Sequence, residues 1–434
     1  MSVLERVPRS SRLSGFHRLA VSARRQRLVE STWLAPERAR TLEHVGCGLT
    51  ESDADAMVEN VIGLHALPLA VALNFRVNGV DRVVPMSVEE PSIVAAASYA
   101  ARLVLDGGGF TAEADEPVLT CQVQLLDVPD MAIARDRILA ARPSLLAEAD
   151  ALIPSMVGRG GGARDLEVRL LGDCLVVHVH VDVRDAMGAN TVNTVAEGLS
   201  ESLEDLSGGR VGLRILTNLS DRRKVTVRCR VPTSSLVSNG FPDGAVVARR
   251  IVEAQRFAEL DVYRAVTHNK GVMNGVDSVL LAFGNDWRAV EAGAHAWASR
   301  SGTYAPLTRW WCNDKWLLGE LTLPLATSTV GGAARNHPGV KLALELAHVT
   351  SANDLGMLAA AAGLASNLAA LKALSTEGIN RGHMALHARR VAAEVGAAGD
   401  EVAAVAARLA EERCYRPERA LEILAEVKRS PGTS

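Results

Sequence analysis

The residues most able to do chemistry fall in five short polar runs. Glu89-Glu90-Pro91-Ser92 precedes an apolar stretch. Acids at a helix start complement the macrodipole, which is their ordinary explanation; a carboxyl serving in acid–base chemistry is the alternative. Thr267-His268-Asn269-Lys270-Gly271-Val272-Met273-Asn274-Gly275 sets a lysine beside glycines. It reads as a polar loop, or as a lysine able to approach a substrate oxygen closely. Gly284-Asn285-Asp286-Trp287-Arg288 follows an apolar, strand-like run, and its acid suits an N-cap. Gly382-His383-Met384-Ala385-Leu386-His387-Ala388-Arg389 places two histidines on one helix face, as metal ligands can be. No acid or third ligand nearby completes a zinc site, so no metal is expected. Asp182 to Asn193 lies where a strand meets a helix. Gly188 there permits close backbone approach, and a helix N-terminus can receive a phosphate. Asp185 and Asn190 could hold polar groups of a nucleotide; an ordinary capped helix start is the plainer reading.

Elements must hold these runs. Residues 20–65 read as helical, with polar punctuation near Gly46 and Gly48. Apolar residues flank Asn78-Gly79, a strong hairpin signal. A helix follows, with Pro91 in its first turn, Ile93 to Leu105 as its body and Gly107-Gly108-Gly109 as its stop. Val118, Cys121, Val123 and Leu125 mark a half-buried strand, and 131–157 reads as helix before a break at 158–162. Strands at 166–171 and 174–183 pair. In the second, Val177, Val179, Val181 and Val183 alternate with His178, His180 and Asp182, which predicts one wet face. A helix runs from Gly188 to about Leu206, with strands at 211–217 and 224–231. Over 115–220 the order strand-helix-strand-strand-helix-strand fits a ferredoxin-like unit. Residues 244–300 read mostly as helix, 316–325 as strand, and the stretch from 340 as alanine-rich helices broken near Gly378, Gly382 and Gly396–Gly399.

The chain of 434 residues suits two or three domains. A net charge of −3 and 4% aromatics argue against a nucleic-acid partner. Six cysteines without C-x-x-C spacing suit a reducing cytoplasm. The arginine-rich N-terminus has no apolar core of a secretory signal. The longest apolar stretch, Met357 to Ala365, is too short to span a bilayer, so no membrane partner is expected. G-x-S-x-G, G-K-[ST] and H-E-x-x-H are absent. Gly107 to Ala112 and Gly158 to Ala163 approach a dinucleotide fingerprint, but each follows helical pattern. A nicotinamide would therefore not be bound by a Rossmann turn.

Taken together, the five runs resemble one family, the 3-hydroxy-3-methylglutaryl-CoA reductases of the soluble bacterial class II. Asp185-Ala-Met-Gly-Ala-Asn-Thr-Val-Asn193 is similar to its first signature, and Ala373-Leu-Ser-Thr-Glu-Gly-Ile-Asn-Arg-Gly-His-Met-Ala-Leu386 to its C-terminal one. Glu59-Asn-Val-Ile-Gly63, Glu89-Glu-Pro-Ser-Ile-Val94, Thr267-His-Asn-Lys270 and the run from Gly284 to His295 fit the same class. Ser328-Thr-Val-Gly-Gly-Ala-Ala334 departs from the family's Gly-x-Val-Gly-Gly-Ala-Thr at both ends, and His17 separates Phe16 from Arg18.

The resemblance implies an α+β, multidomain fold. Residues 1–115 and 221–378 would form a large, mainly helical substrate domain. Residues 116–220 would be an inserted ferredoxin-like cofactor domain, and 379–434 a C-terminal helical flap. It implies an enzyme interconverting 3-hydroxy-3-methylglutaryl-CoA and mevalonate plus coenzyme A, by two hydride transfers through a bound thiohemiacetal. Lys270 would hold the oxyanion, Glu90 would give the proton for aldehyde reduction, and Asp286 would lie between them. His383 would protonate the departing thiolate. Arg264, Ser92, Thr267 and Asn274 would bind the acyl group. Asp150, Asp185, Met187, Gly188, Asn190 and Asn218 would bind the cofactor. NAD would be preferred to NADP, because Asp150 would accept the ribose 2′-hydroxyl and repel a 2′-phosphate. A cytoplasmic homodimer or larger homo-oligomer, with active sites at the interface, is implied too. Two alternatives stand beside this: a reductase of another branched acyl-CoA thioester, and a non-catalytic dimeric binding protein of the same fold.

Overall fold

Asn78 and Gly79 both take positive φ, 49° and 79°, and turn strand β1 (Leu69–Val77) into antiparallel β2 (Val80–Ser87). A computed structural model describes this hairpin within residues 10–238, 240–332, 336–376, 378 and 388–429. The hairpin opens a six-stranded sheet, ordered β2-β1-β3-β8-β10-β9. Its other strands are β3 (Phe110–Ala114), β8 (Lys224–Pro232), β9 (Thr308–Cys312) and β10 (Trp316–Pro324).

Between β3 and β8 the chain builds a second sheet from β4 (Val118–Leu126), β5 (Gly162–Leu171), β6 (Cys174–Asp182) and β7 (Arg210–Leu216). Its order is β5-β6-β4-β7 and every pairing is antiparallel. With helices between its first two and last two strands, this is the ferredoxin-like arrangement. Strands β3 and β8, which flank the insertion in sequence, pair directly with each other in the first sheet.

Helices Ile93–Leu105, Gly244–Leu260, Val262–Ala282, Trp287–Ala298 and Ala352–Ser375 accompany the first sheet. Phe75, Met86, Phe283, Leu321 and Leu364 share its core. Ile138, Val177, Val179 and Leu203 belong to a separate core under the second sheet. Helix Ala352–Ser375 extends well past the apolar stretch seen in sequence. It is long and apolar enough to cross a membrane by length and composition, yet 78% of its most apolar window is buried within the protein. Its alanines pack as core.

Five local expectations are corrected. Thr267 to Gly275 is not a loop but the middle of helix Val262–Ala282, and the apolar run before Gly284 is that helix's last turn rather than a strand. Pro91 precedes the helix that starts at Ile93 instead of occupying its first turn. Residues 20–65 hold only short helices, at Val21–Glu30, Pro36–Thr41 and Glu51–Asp55. The polar face of β6 is not wet: His178, His180 and Asp182 are buried. Thr120 meets His180 Nδ1 at 2.8 Å, Glu167 meets His178 at 3.1 Å, and Arg164 pairs with Asp182 at 2.8 Å, so neighbouring strands supply partners to these groups, with His180 Nε2 left without a hydrogen bond. Burial holds both histidines below their ordinary pKa, which keeps them neutral.

Helix Val262–Ala282 crosses helix Ala352–Ser375 almost in backbone contact. A Cβ on Gly275 would sit 2.4 Å from the Ala362 carbonyl oxygen. Gly275→Ala should therefore push the helices apart, destabilise the protein by about 1–3 kcal/mol in urea unfolding, and lower activity through the shifted helix.

Candidate active site

Lys270 is carried by the interior of helix Val262–Ala282, whose first turn is capped by the Asp261 carboxylate accepting the Arg264 amide at 3.0 Å. At 3.6 residues per turn, Lys270, Gly271 and Asn274 face one way while His268 and Asn269 turn inward. His268 is 1% exposed and Asn269 fully buried. Asn269 donates to the Ala305 carbonyl at 3.0 Å and accepts the Leu307 amide at 2.9 Å. His268 Nε2 lies 2.6 Å from the Thr308 hydroxyl and 3.1 Å from Asn367 Nδ2. Asn367 Oδ1 in turn accepts the Trp310 indole N–H at 2.7 Å. Burial pushes the His268 pKa down to about 3, with Arg264 adding to the effect, so the ring stays neutral. Within the Thr-His-Asn-Lys run, His268 and Asn269 are anchors and Lys270 is the presented cation.

Glu90 comes from the segment between β2 and helix Ile93–Leu105. Its Oε2 is 2.7 Å from Lys270 Nζ. Ser92 caps that helix in the left-handed region, φ 79° and ψ −23°, with its hydroxyl buried and unbonded. Such a conformation is costly for a residue with a Cβ. Both residues line a cleft of about 560 Å³, within the size range of small-molecule sites. Gly271, Asn274, Ser366 and Lys372 line it as well. Lys372 is 5% exposed and its ammonium lies 5.5 Å from the centre of the Tyr99 ring. Ser366 Oγ is buried without a hydrogen-bond partner.

The structure thus brings together Glu90, Ser92, Lys270 and Asn274. Arg264 is nearly two turns back on the lysine helix and has no ion-pair partner among the described residues; burial lowers its pKa. The Thr267 hydroxyl donates to the Tyr263 carbonyl at 3.3 Å and is not among the cleft's lining residues. Asp286 is not interposed between Lys270 and Glu90, which meet directly. Instead it caps helix Trp287–Ala298 by accepting the Ala289 amide at 3.1 Å. His383 lies outside the described residues.

The cofactor candidates are spread over the second sheet. Gly188 has φ 94°, and a Cβ there would meet Val183 at 2.5 Å, so glycine is required. Helix Ala189–Gly198 begins there without a side-chain cap, leaving its amides available, and Asn190 beside them is exposed. Met187 and Asn218 line one narrow recess against Ala289 and Val290, in the helix that Asp286 caps. Asp185 Oδ1 accepts the Ala352 amide at 2.8 Å, and the Asp185 carbonyl accepts the Thr329 amide at 3.0 Å. Asp150 Oδ1 accepts the Ala163 amide at 2.7 Å, which fixes the start of β5. The altered segment at 328 has a plain role. Asn285 Oδ1 accepts the Ser328 amide at 2.6 Å, and Asn285 Nδ2 donates to the Ser328 carbonyl at 3.1 Å. Ser328 is not among the positive-φ residues, so glycine is not needed there.

Sequence reasoning missed Ser366, Asn367 and Lys372. Their signal was present as polar residues inside an alanine-rich apolar helix, where each needs a reason to be buried. Among the described residues no cluster of three histidine, cysteine or acidic side chains could hold a metal.

Residues 20–388 match the family model for hydroxymethylglutaryl-coenzyme A reductase. The 3-hydroxy-3-methylglutaryl-coenzyme A reductase of Archaeoglobus fulgidus is 40% identical over 424 residues, covering 96% of this chain and 95% of that protein. A probable reductase of the same name from Borreliella burgdorferi is 33% identical, over 77% of each chain. Among solved structures, the class II reductase of Streptococcus pneumoniae superposes with a TM-score of 0.81 at 42% identity, covering 84% of this chain and 99% of that one. That structure is described as bound to NADPH in open conformations. A second structure of the enzyme gives 0.82 at 40% identity over 95% of this chain and 99% of its own.

Asn367→Ala would strand the Trp310 indole N–H and take one partner each from the Thr308 hydroxyl and His268, which keep each other, beneath the lysine helix. The expected cost is about 2–4 kcal/mol of unfolding free energy by denaturant titration.

Proposed function

The chain belongs to the hydroxymethylglutaryl-coenzyme A reductase family, and from that membership we propose that Glu90, Lys270, Asp286 and His383 carry its reaction at the cleft. It is an oxidoreductase that uses a nicotinamide cofactor to interconvert 3-hydroxy-3-methylglutaryl-CoA and mevalonate. The observation that carries the residue assignment is the 2.7 Å contact between Lys270 Nζ and Glu90 Oε2 at the cleft. A cation and an acid so placed can reach one substrate oxygen together.

In this reading the acyl end enters the cleft, with its hydroxyl and carboxylate held by Ser92, Asn274, Thr267 and Arg264, the last through its planar fork. Lys270 donates to the thioester carbonyl and holds the oxyanion that forms when the carbonyl carbon is reduced. The C–S bond then breaks, the thiolate takes a proton from His383, and an aldehyde remains. Reduction of that aldehyde leaves an alkoxide, to which Glu90 supplies the proton. To Asp286, which caps its own helix, we assign the tuning of Lys270 and Glu90.

The small sheet suits the cofactor. Gly188 provides a close-approach turn at uncapped helix amides, as a pyrophosphate requires. Asp185, Met187, Asn190 and Asn218 would surround the remainder. When bound, the nicotinamide supplies hydride. Asp150 keeps one carboxylate oxygen beyond its bond to Ala163, and we assign that oxygen to the ribose 2′-hydroxyl, hence a preference for NADH. The same reading divides the chain into a substrate domain (1–115 and 221–378), a cofactor domain (116–220) and a flap (379–434).

A homodimer with active sites at its interface is part of the proposal. Leu260 and Tyr263, 68% and 86% exposed, form an apolar stripe with Phe257, Val262 and Val266 near the lysine helix's start. The six free thiols suit the cytoplasm.

Lys270→Met should lower kcat with 3-hydroxy-3-methylglutaryl-CoA by about 100- to 1000-fold in a cofactor-oxidation assay, while Glu90→Gln should lower it by about 100-fold. Undiminished turnover of Lys270→Met would reject the assignment. Asp150→Ala should shift the ratio of kcat/KM from NADH toward NADPH; an unchanged ratio removes Asp150 from cofactor choice.

A further inference from the structure

Residues 217–223 return the chain from β7 to β8, and so from the second sheet to the first. Arg223 ends this return and is held at both backbone groups. Its amide donates to the Ser220 carbonyl at 2.9 Å, and its carbonyl accepts the Leu325 amide at 3.0 Å, just past the end of β10. The side chain is 2% exposed. Its two terminal nitrogens reach different segments. Nη1 donates to the Ala186 carbonyl at 3.2 Å and Nη2 to the Thr327 carbonyl at 2.6 Å.

Those segments lead to different parts of the site. Ala186 lies two residues before Gly188, where helix Ala189–Gly198 starts with no side-chain cap. Thr327 precedes Ser328, which Asn285 holds, and Asn285 precedes Asp286. The Asp185 carbonyl closes the same joint by accepting the Thr329 amide at 3.0 Å.

A tie between two carbonyls does not require a charge. A neutral amide donor would bond a carbonyl and cost less to bury. Among the described residues no carboxylate pairs with this guanidinium, and its Nε has no hydrogen-bond partner. Burial lowers its pKa to about 10, which leaves it charged at neutral pH. The fold thus keeps an unpaired cation behind the turn that enters helix Ala189–Gly198. The free amides at that helix start already favour an anion, and a cation behind them adds to the same field.

We propose, on the reading that this helix start receives the cofactor pyrophosphate, that Arg223 is a positioning residue for the cofactor: it fixes the Ala186–Gly188 turn against the 327–328 segment and adds its charge to the anion site. It touches neither cofactor nor substrate and acts through Ala186. Cofactor affinity therefore depends on it, whereas affinity for the acyl-CoA does not.

Fluorescence titration with NADH and NADPH, together with steady-state kinetics of the full chain, tests this. Arg223→Lys keeps the charge, but a single ammonium cannot reproduce the planar fork between two carbonyls. Arg223→Met loses both. For the cofactor that binds more tightly, Kd should rise about 3- to 30-fold in Arg223→Lys and further in Arg223→Met, while KM for 3-hydroxy-3-methylglutaryl-CoA stays within about twofold. An unchanged cofactor Kd in both variants overturns the proposal. An equal rise in cofactor Kd and acyl-CoA KM also overturns it, because that marks a loosened fold. Equal losses in the two variants overturn the part given to charge. Asn190→Glu tests the underlying reading by itself, since a carboxylate at the exposed helix start favours the helix but repels a pyrophosphate. An unchanged Kd in Asn190→Glu removes the pyrophosphate from this helix. A raised Kd there, with none in the Arg223 variants, removes only the role of Arg223. Hydrogen exchange of the wild type needs no substitution: cofactor binding should slow the amides of 189–192 and also those of Leu325 and Thr329 across the joint. Slowing confined to 189–192 overturns the tie.

Discussion

Everything at the site depends on one constraint: a lysine must stand at the lip of a cleft on a helix whose adjacent residues are sealed in the core. The Lys270–Glu90 pair cannot hold itself in place. Its side chains are 58% and 38% exposed, and ion pairs so open to water contribute little to stability. The position is set from beneath. Asn269 is tied to the loop at 305–307, His268 to Thr308 and Asn367, and Gly275 lets the helix approach the backbone of helix Ala352–Ser375. A charged imidazole there would be an unpaired buried cation, so its depressed pKa is a condition of the anchor rather than a sign of catalysis.

A second constraint couples the two sheets. Their apolar cores are separate, and the ties described between them are polar. Arg223, 2% exposed, donates to the carbonyls of Ala186 and Thr327 at 3.2 and 2.6 Å. Asp185 holds the first amide of helix Ala352–Ser375, and Thr329 returns to the Asp185 carbonyl. Asn285, the residue before Asp286, then grips Ser328, the residue after Thr327. The segment that departs from the family signature is thus a strut between the cofactor candidates and Asp286, held by backbone groups that serine offers as well as glycine.

The sequence was most legible where local chemistry and tertiary packing agree. Asn78-Gly79 forces a turn, and alternation in β4 and β6 reports one buried face. It was least legible where burial overrides polarity. His178, His180 and Asp182 read as wet because each is polar, but their partners lie more than 50 residues away on β4 or 11 to 18 residues away on β5, and spacing within one strand cannot reveal them. The lysine run read as a loop because it holds two glycines and two asparagines. Gly275 is there for helix contact, and Asn269 for bonds to a distant loop. The order of the polar runs named the chemistry, whereas only the fold shows which of their residues support and which are presented.

That division has a physical mark. Beneath Lys270 the side chains of His268, Asn269 and Asn367 are bonded, although His268 Nδ1 has no partner. In the cleft, Ser92 Oγ and Ser366 Oγ are buried with no partner, and Ser92 is also held in the left-handed region. An unpaired buried hydroxyl costs about 1–3 kcal/mol, and alanine at either position would avoid it. Two of the buried unsatisfied hydroxyls thus lie in the cleft, on the face opposite the bonds that anchor His268 and Asn269. A ligand that bonds Ser92 and Ser366 offsets a penalty the unfolded chain does not have. Binding and folding at this cleft are coupled through the same atoms.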